Sequence, residues 1–266
     1  MKINIEQLKE IVITASNTEL LPRFNSVTRS YKADGSIVTE ADLIMQDCLT
    51  KALQLAYPDI ELLGEEMSAE QQQALLSSGK PLWCLDPVDG TSNFAAGIPY
   101  FSVSLALIEN GQVTFGLVYD PVRSECFTAQ IGQGATLNDQ ALASVHSNLS
   151  LKRTIALIDF KRLTPELATQ LVSELPYGSQ RSLGSIALEL CWIAARRGHI
   201  YLHGKQQLWD YAAAQLILSE AGGYACTLDG EALFNNQLVP RSTIAALDIQ
   251  IFKDWCDYLR VPITEH

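Results

Sequence analysis

Two aspartates three residues apart close an apolar run near the middle of this sequence. In LWCLDPVDGTSNF the run ends on Asp86, Pro87 stiffens the next step, and Asp89 is followed by Gly90 and Thr91. Upstream, LLGEE ends a second apolar run on Glu65 and Glu66, and downstream Asp210 stands at the head of LWDYAAAQLILSEAGG. Carboxylates alone repel an anion, but divalent cations held between them invert the local field. Hard oxygen donors of this kind favour Mg2+, with Mn2+ next, over a thiol-preferring metal. A helix opening after Gly90 would offer its unsatisfied N–H groups to a phosphate. Each acid also has a plainer reading: Asp89 as a turn residue, Asp210 as a helix cap and the glutamates as solvated surface. The DxDGT pattern of aspartyl-phosphate enzymes does not apply, because the position two before Asp89 is Pro87.

The elements that must position these groups are legible in outline. Helical spacing runs from Ile5 to about Leu21, where Pro22 opposes continuation, and again from near Thr39 to Tyr57. IELLGEE reads as a short strand followed by a polar helix, and PLWCLDP as a strand from which DGTSNFAAG breaks away. YFSVSLALIENGQVTFGLVYDPV is a hairpin around ENG, and ECFTAQIGQGATLNDQAL a short strand pair. The second half opens on the strand RTIALIDF and a helix from Thr164 to Leu175 with a threonine cap and Pro165 in its first turn. SIALELCWIAARRG is an apolar helix, HIYLHGK is extended, and LWDYAAAQLILSEAGG is a helix stopped by paired glycines. YACTLDG and STIAALD are strand-like before a final helix from Ile249 to Leu259. The fold class is α/β, layered, with mixed or antiparallel sheets rather than regular βαβ repetition. The chain is expected to form one compact unit over 1–266, with a metal-site-rich half, 1–145, and a substrate-selecting half, 146–266, that contributes Asp210.

Composition narrows the partners. Thirty acidic against 19 basic residues give a net charge of −11, with no basic run to track a phosphate backbone, so polymeric nucleic acid is not expected as a partner. The six cysteines lie far apart without a CxxC and read as buried thiols. No apolar run is long enough to span a bilayer and no leader is recognisable, so no membrane partner and a cytoplasmic location are expected. Trp83, Trp192 and Trp209 read as packing residues.

GEE, DPVDGTSNF and WDYAAAQLILSEAGG stand in the order of the signatures of the inositol monophosphatase family, and the chain resembles that family from about Lys32 to Gly223. The resemblance implies an αβαβα sandwich and a Mg2+-dependent phosphatase acting on a small phosphorylated metabolite, with two or three ions, and a homodimer. It assigns Glu65, Asp86, the carbonyl of Val88, Asp89 and Asp210 to the metals. Thr91, supported by Asp42, resembles the group that orients the attacking water, beside Glu65. The amides of Gly90 and Thr91 then hold phosphate, and Lys32 and Glu66 fall in the outer shell.

The substrate stays open. Inositol-selective relatives carry an acid seven positions before the last metal aspartate, where this chain has His203. Ser185, His203 and Lys205 are expected to face the substrate, either an inositol monophosphate or related polyol phosphate, or a 3'(2'),5'-bisphosphonucleotide or sugar bisphosphate whose second anion His203 and Lys205 would meet. The plainer reading of His203 is a solvent-facing loop residue. Asp159, at a strand end, serves either the substrate or a local turn. A noncatalytic, metal-stabilised interaction protein is the reading from another class.

Overall fold

The computed structural model describes residues 3–24, 26, 30–31, 37–144 and 146–262. Lys32 lies outside them. In chain order the elements are α1 (Ile5–Ala15), β1 (Ser30–Tyr31), β2 (Ile37–Val38), α2 (Glu40–Ala56), β3 (Glu61–Gly64), α3 (Ala69–Ser77), β4 (Leu82–Asp89), α4 (Thr91–Ala96), β5 (Ser102–Glu109), β6 (Gln112–Asp120), β7 (Glu125–Gln130), β8 (Ala135–Leu137) and β9 (Gln140–Leu142). They continue as β10 (Ile155–Asp159), α5 (Pro165–Glu174), β11 (Ser179–Arg181), α6 (Ile186–Ala194), β12 (Ile200–Gln206), α7 (Leu208–Glu220), β13 (Tyr224–Cys226), β14 (Arg241–Ala246) and α8 (Ile249–Leu259).

Strands β3 to β9 form a seven-stranded sheet in sequence order, parallel only between β3 and β4. The second sheet runs β11-β10-β12-β14-β13, with β10 parallel to both its neighbours and the rest antiparallel. The mixed character follows from the connections: the ENG turn, with Asn110 and Gly111 at positive φ, forces an antiparallel return, whereas α3 carries the chain back for a parallel one. The expected strand pair after β6 is a run of three, β7 to β9.

Side-chain alternation sorts the chain into layers. Trp83, Leu85, Val103, Leu105, Leu107, Phe115 and Leu117 face α1 and α2, packing with Leu8, Val12, Met45 and Leu49. Leu82, Cys84, Ala106, Ile108 and Val118 point the other way, onto α6 and α7. The far side of those two helices meets Leu157, Tyr201 and Ala245 of the second sheet. That sheet's outer face, with Ile158, Leu202 and Ile244, is closed by Ile251, Phe252 and Trp255 of α8. Helices α6 and α7 are thus mostly apolar and largely buried because sheets cover them on two sides, with the acids Glu189 and Asp210 in their first turns. Gly116 lets α7 come close: a Cβ there would lie 2.6 Å from the Ala213 carbonyl oxygen. The order α1/α2, sheet, α6/α7, sheet, α8 is the αβαβα sandwich. No helix among the described residues is long and apolar enough to cross a membrane.

Candidate active site

A one-residue irregularity in β4 brings its two aspartates together. Asp86 pairs with Ser104 and Asp89 with Ser102, so Pro87 and Val88 of β4 together oppose Val103 alone on β5. In a regular strand, residues three apart point to opposite faces; the extra residue resets the alternation and turns both carboxylates toward α6 and α7. Pro87, which lacks an N–H for the ladder, sits within the irregular stretch. The turn is tightened by the Val88 amide, which donates to Asp86 Oδ1 at 3.0 Å. Gly90 follows at φ +95°, where a side chain would also press on the carbonyl oxygens of Gly184 and Tyr100, and α4 begins at Thr91.

The Thr91 hydroxyl lies 3.0 Å from both Asp42 Oδ1 and the Val88 carbonyl oxygen. Asp42 is fixed by its other oxygen, which accepts from the Thr39 amide at 2.8 Å and hydroxyl at 2.7 Å, closing the cap of α2. Asp210 does a similar job: Gln207 is the cap of α7, and Asp210, in the first turn rather than at the cap itself, accepts the Gln207 amide at 2.7 Å. Asp89 is the most heavily bonded acid of the group. Its carboxylate accepts from the Ser185 hydroxyl at 2.5 Å, the Ser102 hydroxyl at 3.3 Å, and the Ala187 and Ile186 amides at 2.8 and 3.0 Å. It thereby ties β4 to the start of α6.

Glu65 and Glu66 leave β3 on a backbone held from three sides. The Glu65 amide donates to the Leu85 carbonyl, the Glu66 amide to Gln46 Oε1 at 3.0 Å, and Gln72 Nε2 to the carbonyls of Gly64 and Glu65. Gly64 makes room for this: a Cβ would fall 2.1 Å from Gln46 Oε1. Gln46 and Gln72 were not singled out in the sequence, although Gln46 follows Asp42 by four residues and so shares its helix face.

These acids raise one another's proton affinity. Burial pushes Asp86 well above the ordinary carboxylate range, and the charges of Glu65, Asp89, Asp210 and Asp42 add to it. Asp210 is raised by burial and by Asp89 and Glu65. Burial also raises Asp89 and Asp42, against the pull of their hydrogen bonds. A site that strains to hold its negative charge is one that a cation relieves.

The sequence matches the model of the inositol monophosphatase family over residues 2–254. The chain belongs to this family. It is 31% identical over 253 residues to the Nus factor SuhB of Haemophilus influenzae, covering 93% of this chain and 90% of that one. To human inositol monophosphatase 1 it is 30% identical over 247 residues, covering 90% and 85%. Among solved structures it resembles the extragenic suppressor protein suhB of Bartonella henselae, with a TM-score of 0.82, 27% identity and coverage of 97% and 99%. The inositol monophosphate-bound IMPase-II of Staphylococcus aureus gives a TM-score of 0.76 at 26% identity, covering 96% and 92%. Membership carries the expectation of metal-dependent hydrolysis of phosphate monoesters.

For an inositol monophosphatase family member, the donor chemistry fits a hard divalent cation: buried, mutually repelling carboxylates on strand and helix ends, with the Val88 carbonyl beside them. Among the described residues, no three acidic, histidine or cysteine side chains already converge closely enough to cage an ion. The side chains expected to face substrate divide. Ser185 is fully buried behind Asp89, to which its hydroxyl is committed, so it supports that carboxylate. His203 is buried in β12, not in a solvent-facing loop, and both ring nitrogens have protein neighbours: Nδ1 accepts the Lys205 amide at 3.2 Å and Nε2 lies 3.3 Å from Asp159. Lys205 is exposed. Asn93 and Glu189 complete the site and were not anticipated. Asn93 Nδ2 donates to the carbonyls of Tyr100 and Leu183, each at 2.7 Å, while Glu189 Oε1 accepts the amides of Leu183 and Gly184.

Proposed function

We propose that this protein hydrolyses a small phosphate monoester, an inositol monophosphate or related polyol phosphate, with Mg2+ or Mn2+ as cofactor. The observation that carries the reading is the strand irregularity that turns Asp86 and Asp89 to one face, next to a Thr91 hydroxyl held by Asp42. Glu65, Asp86, the Val88 carbonyl, Asp89 and Asp210 would hold the ions, with Glu66 outside them. Bound there, a divalent cation supplies Lewis acidity that lowers the pKa of water and offsets phosphoryl charge.

The chain's own groups do the positioning. With its proton directed to Asp42, the Thr91 oxygen keeps lone pairs that accept a hydrogen bond from the attacking water, aiming it at phosphorus; Glu65 receives its second hydrogen. The amides of Gly90 and Thr91 donate to the phosphoryl oxygens. Attack is direct, since Pro87 leaves no nucleophile where an aspartyl-phosphate enzyme has one. The 1–145 half supplies all of these groups except Asp210, and the 146–266 half faces the alcohol. By likeness to the family the protein works as a homodimer.

A nucleotide phosphate is the second reading, favoured by the 2'AMP-bound state of the Staphylococcus aureus relative, which resembles this chain with a TM-score of 0.79. The test is phosphate release from inositol monophosphates, 2'- and 3'-phosphonucleotides and sugar bisphosphates, with Mg2+ and with chelator. Metal-dependent preference for the inositol esters is expected. Preference for a nucleotide would move the substrate and keep the chemistry, and no release from any of them would overturn both.

A further inference from the structure

Asp159 and His203 face each other across neighbouring parallel strands, in register near the carboxyl ends of β10 and β12. His203 has little freedom. Its side chain is 3% exposed, and its ring is stacked parallel to that of Tyr201. The Lys205 amide fixes the tautomer: with Nδ1 accepting that bond, the neutral ring carries its proton on Nε2, the nitrogen 3.3 Å from Asp159 Oδ2. The other Asp159 oxygen accepts the Lys161 amide at 2.9 Å. The Lys161 amide on one oxygen and the His203 ring against the other orient the carboxylate, which keeps lone pairs for a further donor.

Unlike His203, Asp159 reaches the surface, with its side chain 28% exposed. Burial works to raise its pKa, but the contact with His203, the Lys161 amide and the charge of Arg162 together bring it below the ordinary value, so it is ionised at neutral pH. From His203, strand β12 runs on through Gln206 into α7, whose first turn carries Asp210, so Asp159 lies at the same end of the sheet as that acid. Gly204 lets Arg162 come close to β12, since a Cβ there would lie 1.8 Å from the Arg162 carbonyl oxygen. Ligands of sheets with parallel strands bind beyond the strands' carboxyl ends. A fixed, ionised, part-exposed carboxylate in that place accepts hydroxyl protons and repels a second anion.

We propose that Asp159 is the specificity-determining residue for the alcohol part of the substrate, a polyol whose hydroxyls donate to it, and that His203 is its positioning residue. This rests on the phosphate monoesterase reading above and replaces direct contact of His203 with substrate.

The test compares an inositol monophosphate with 4-nitrophenyl phosphate, which has no hydroxyl beside its ester, for the wild type, Asp159→Asn, His203→Gln and His203→Leu in Mg2+. Asp159→Asn is expected to raise KM for the inositol ester about 10-fold, the scale of one charge-assisted hydrogen bond, while kcat and the aryl phosphate KM stay within about twofold. His203→Gln, which keeps an N–H near the position of Nε2, stays close to wild type; His203→Leu reproduces Asp159→Asn, and the double variant is no worse. An unchanged inositol-ester KM in Asp159→Asn, or an equal rise on both substrates, overturns the proposal. Thermal melts check folding, and should His203→Leu not fold, Asp159→Asn still decides. If the wild type turns over neither substrate, the hydrolase reading fails separately. Calorimetric affinities for the inositol ester relative to inorganic phosphate then decide this one: a ratio unchanged by Asp159→Asn overturns it, and a roughly 10-fold loss upholds it.

Discussion

The Thr91 hydroxyl and Asp42 Oδ1 lie 3.0 Å apart across 49 residues of sequence, joining the first turn of α4 to the first turn of α2. Asp42 both closes the capping box that Thr39 opens and accepts the Thr91 hydroxyl, so the placement of the threonine depends on how α2 starts. Thr91→Val is expected to cut kcat by roughly 100-fold or more, the usual weight of a positioned proton-transfer group. Thr91→Ser, which keeps the oxygen, should retain most of it. Steady-state kinetics on the two variants checks this; a Thr91→Val kcat near wild type, or a loss in Thr91→Ser as large as that in Thr91→Val, would show that the hydroxyl does not carry the effect.

Asp86→Asn should separate function from stability. It removes a buried charge that Glu65, Asp89 and Asp210 oppose, so in chelator the variant is expected to unfold at a higher denaturant concentration than the wild type. Turnover should fall to near background. Lower stability together with retained metal-dependent turnover would contradict both the repulsion and the assigned role.

Stability in chelator should fall as pH rises toward neutrality. Asp86 and Asp210 are raised well above the ordinary range, and Glu189 is pushed up to about 7, chiefly by burial. A raised folded-state pKa means that the unfolded chain releases its proton first, so stability is full below the unfolded value and is lost as pH climbs through the folded one. For Glu189 that window runs from the ordinary glutamate range up to about 7. Urea midpoints across this range should decline in chelator. Glu189→Gln, which keeps an acceptor for the Leu183 and Gly184 amides, should flatten the decline, and added Mg2+ should oppose it.

Gln46 should govern metal demand without touching substrate. Gln46→Ala removes the acceptor of the Glu66 amide and loosens the segment that carries Glu65. The expected outcome is a Mg2+ requirement raised about 10-fold, with KM for substrate at saturating Mg2+ little changed. Gly64→Ala, whose methyl group would strike Gln46 Oε1, should act the same way. An unaltered Mg2+ titration curve in both variants would remove the residue from the site's support.

Much of the fold is written locally. The caps at Thr39, Thr164 and Asp248, the proline opening α5 and the positive-φ pair Asn110-Gly111 set element boundaries by short-range bonding, and the helices α2, α5 and α8 stand within a residue or two of where the spacing put them. What local reading missed has little local signal. Strand β11 is three polar, partly exposed residues at a sheet edge, held by its pairing with β10 rather than by propensity. The first helix was expected to run to about Leu21; its regular turns end at Ala15 and a wider and then a tighter turn carry the chain on past Pro22.

The site divides along the same line. The kinds of acid, their order and their positions at the ends of apolar runs are properties of the chain, and they sufficed to indicate hard-cation phosphate chemistry. Which lone pairs each acid has left is a property of the packing. Ser185 was expected to face the substrate; the approach of α6 to β4 commits its hydroxyl to Asp89. His203 was read either as a contact for a second anion or as a solvent-facing loop residue; pairing of β10 with β12 buries it against Asp159, whose carboxylate is the part-exposed group of the two. Hydrogen bonds between residues tens of positions apart depend on strand register and layer spacing, and those are set by the collective burial of the three apolar clusters, which no single stretch of sequence encodes.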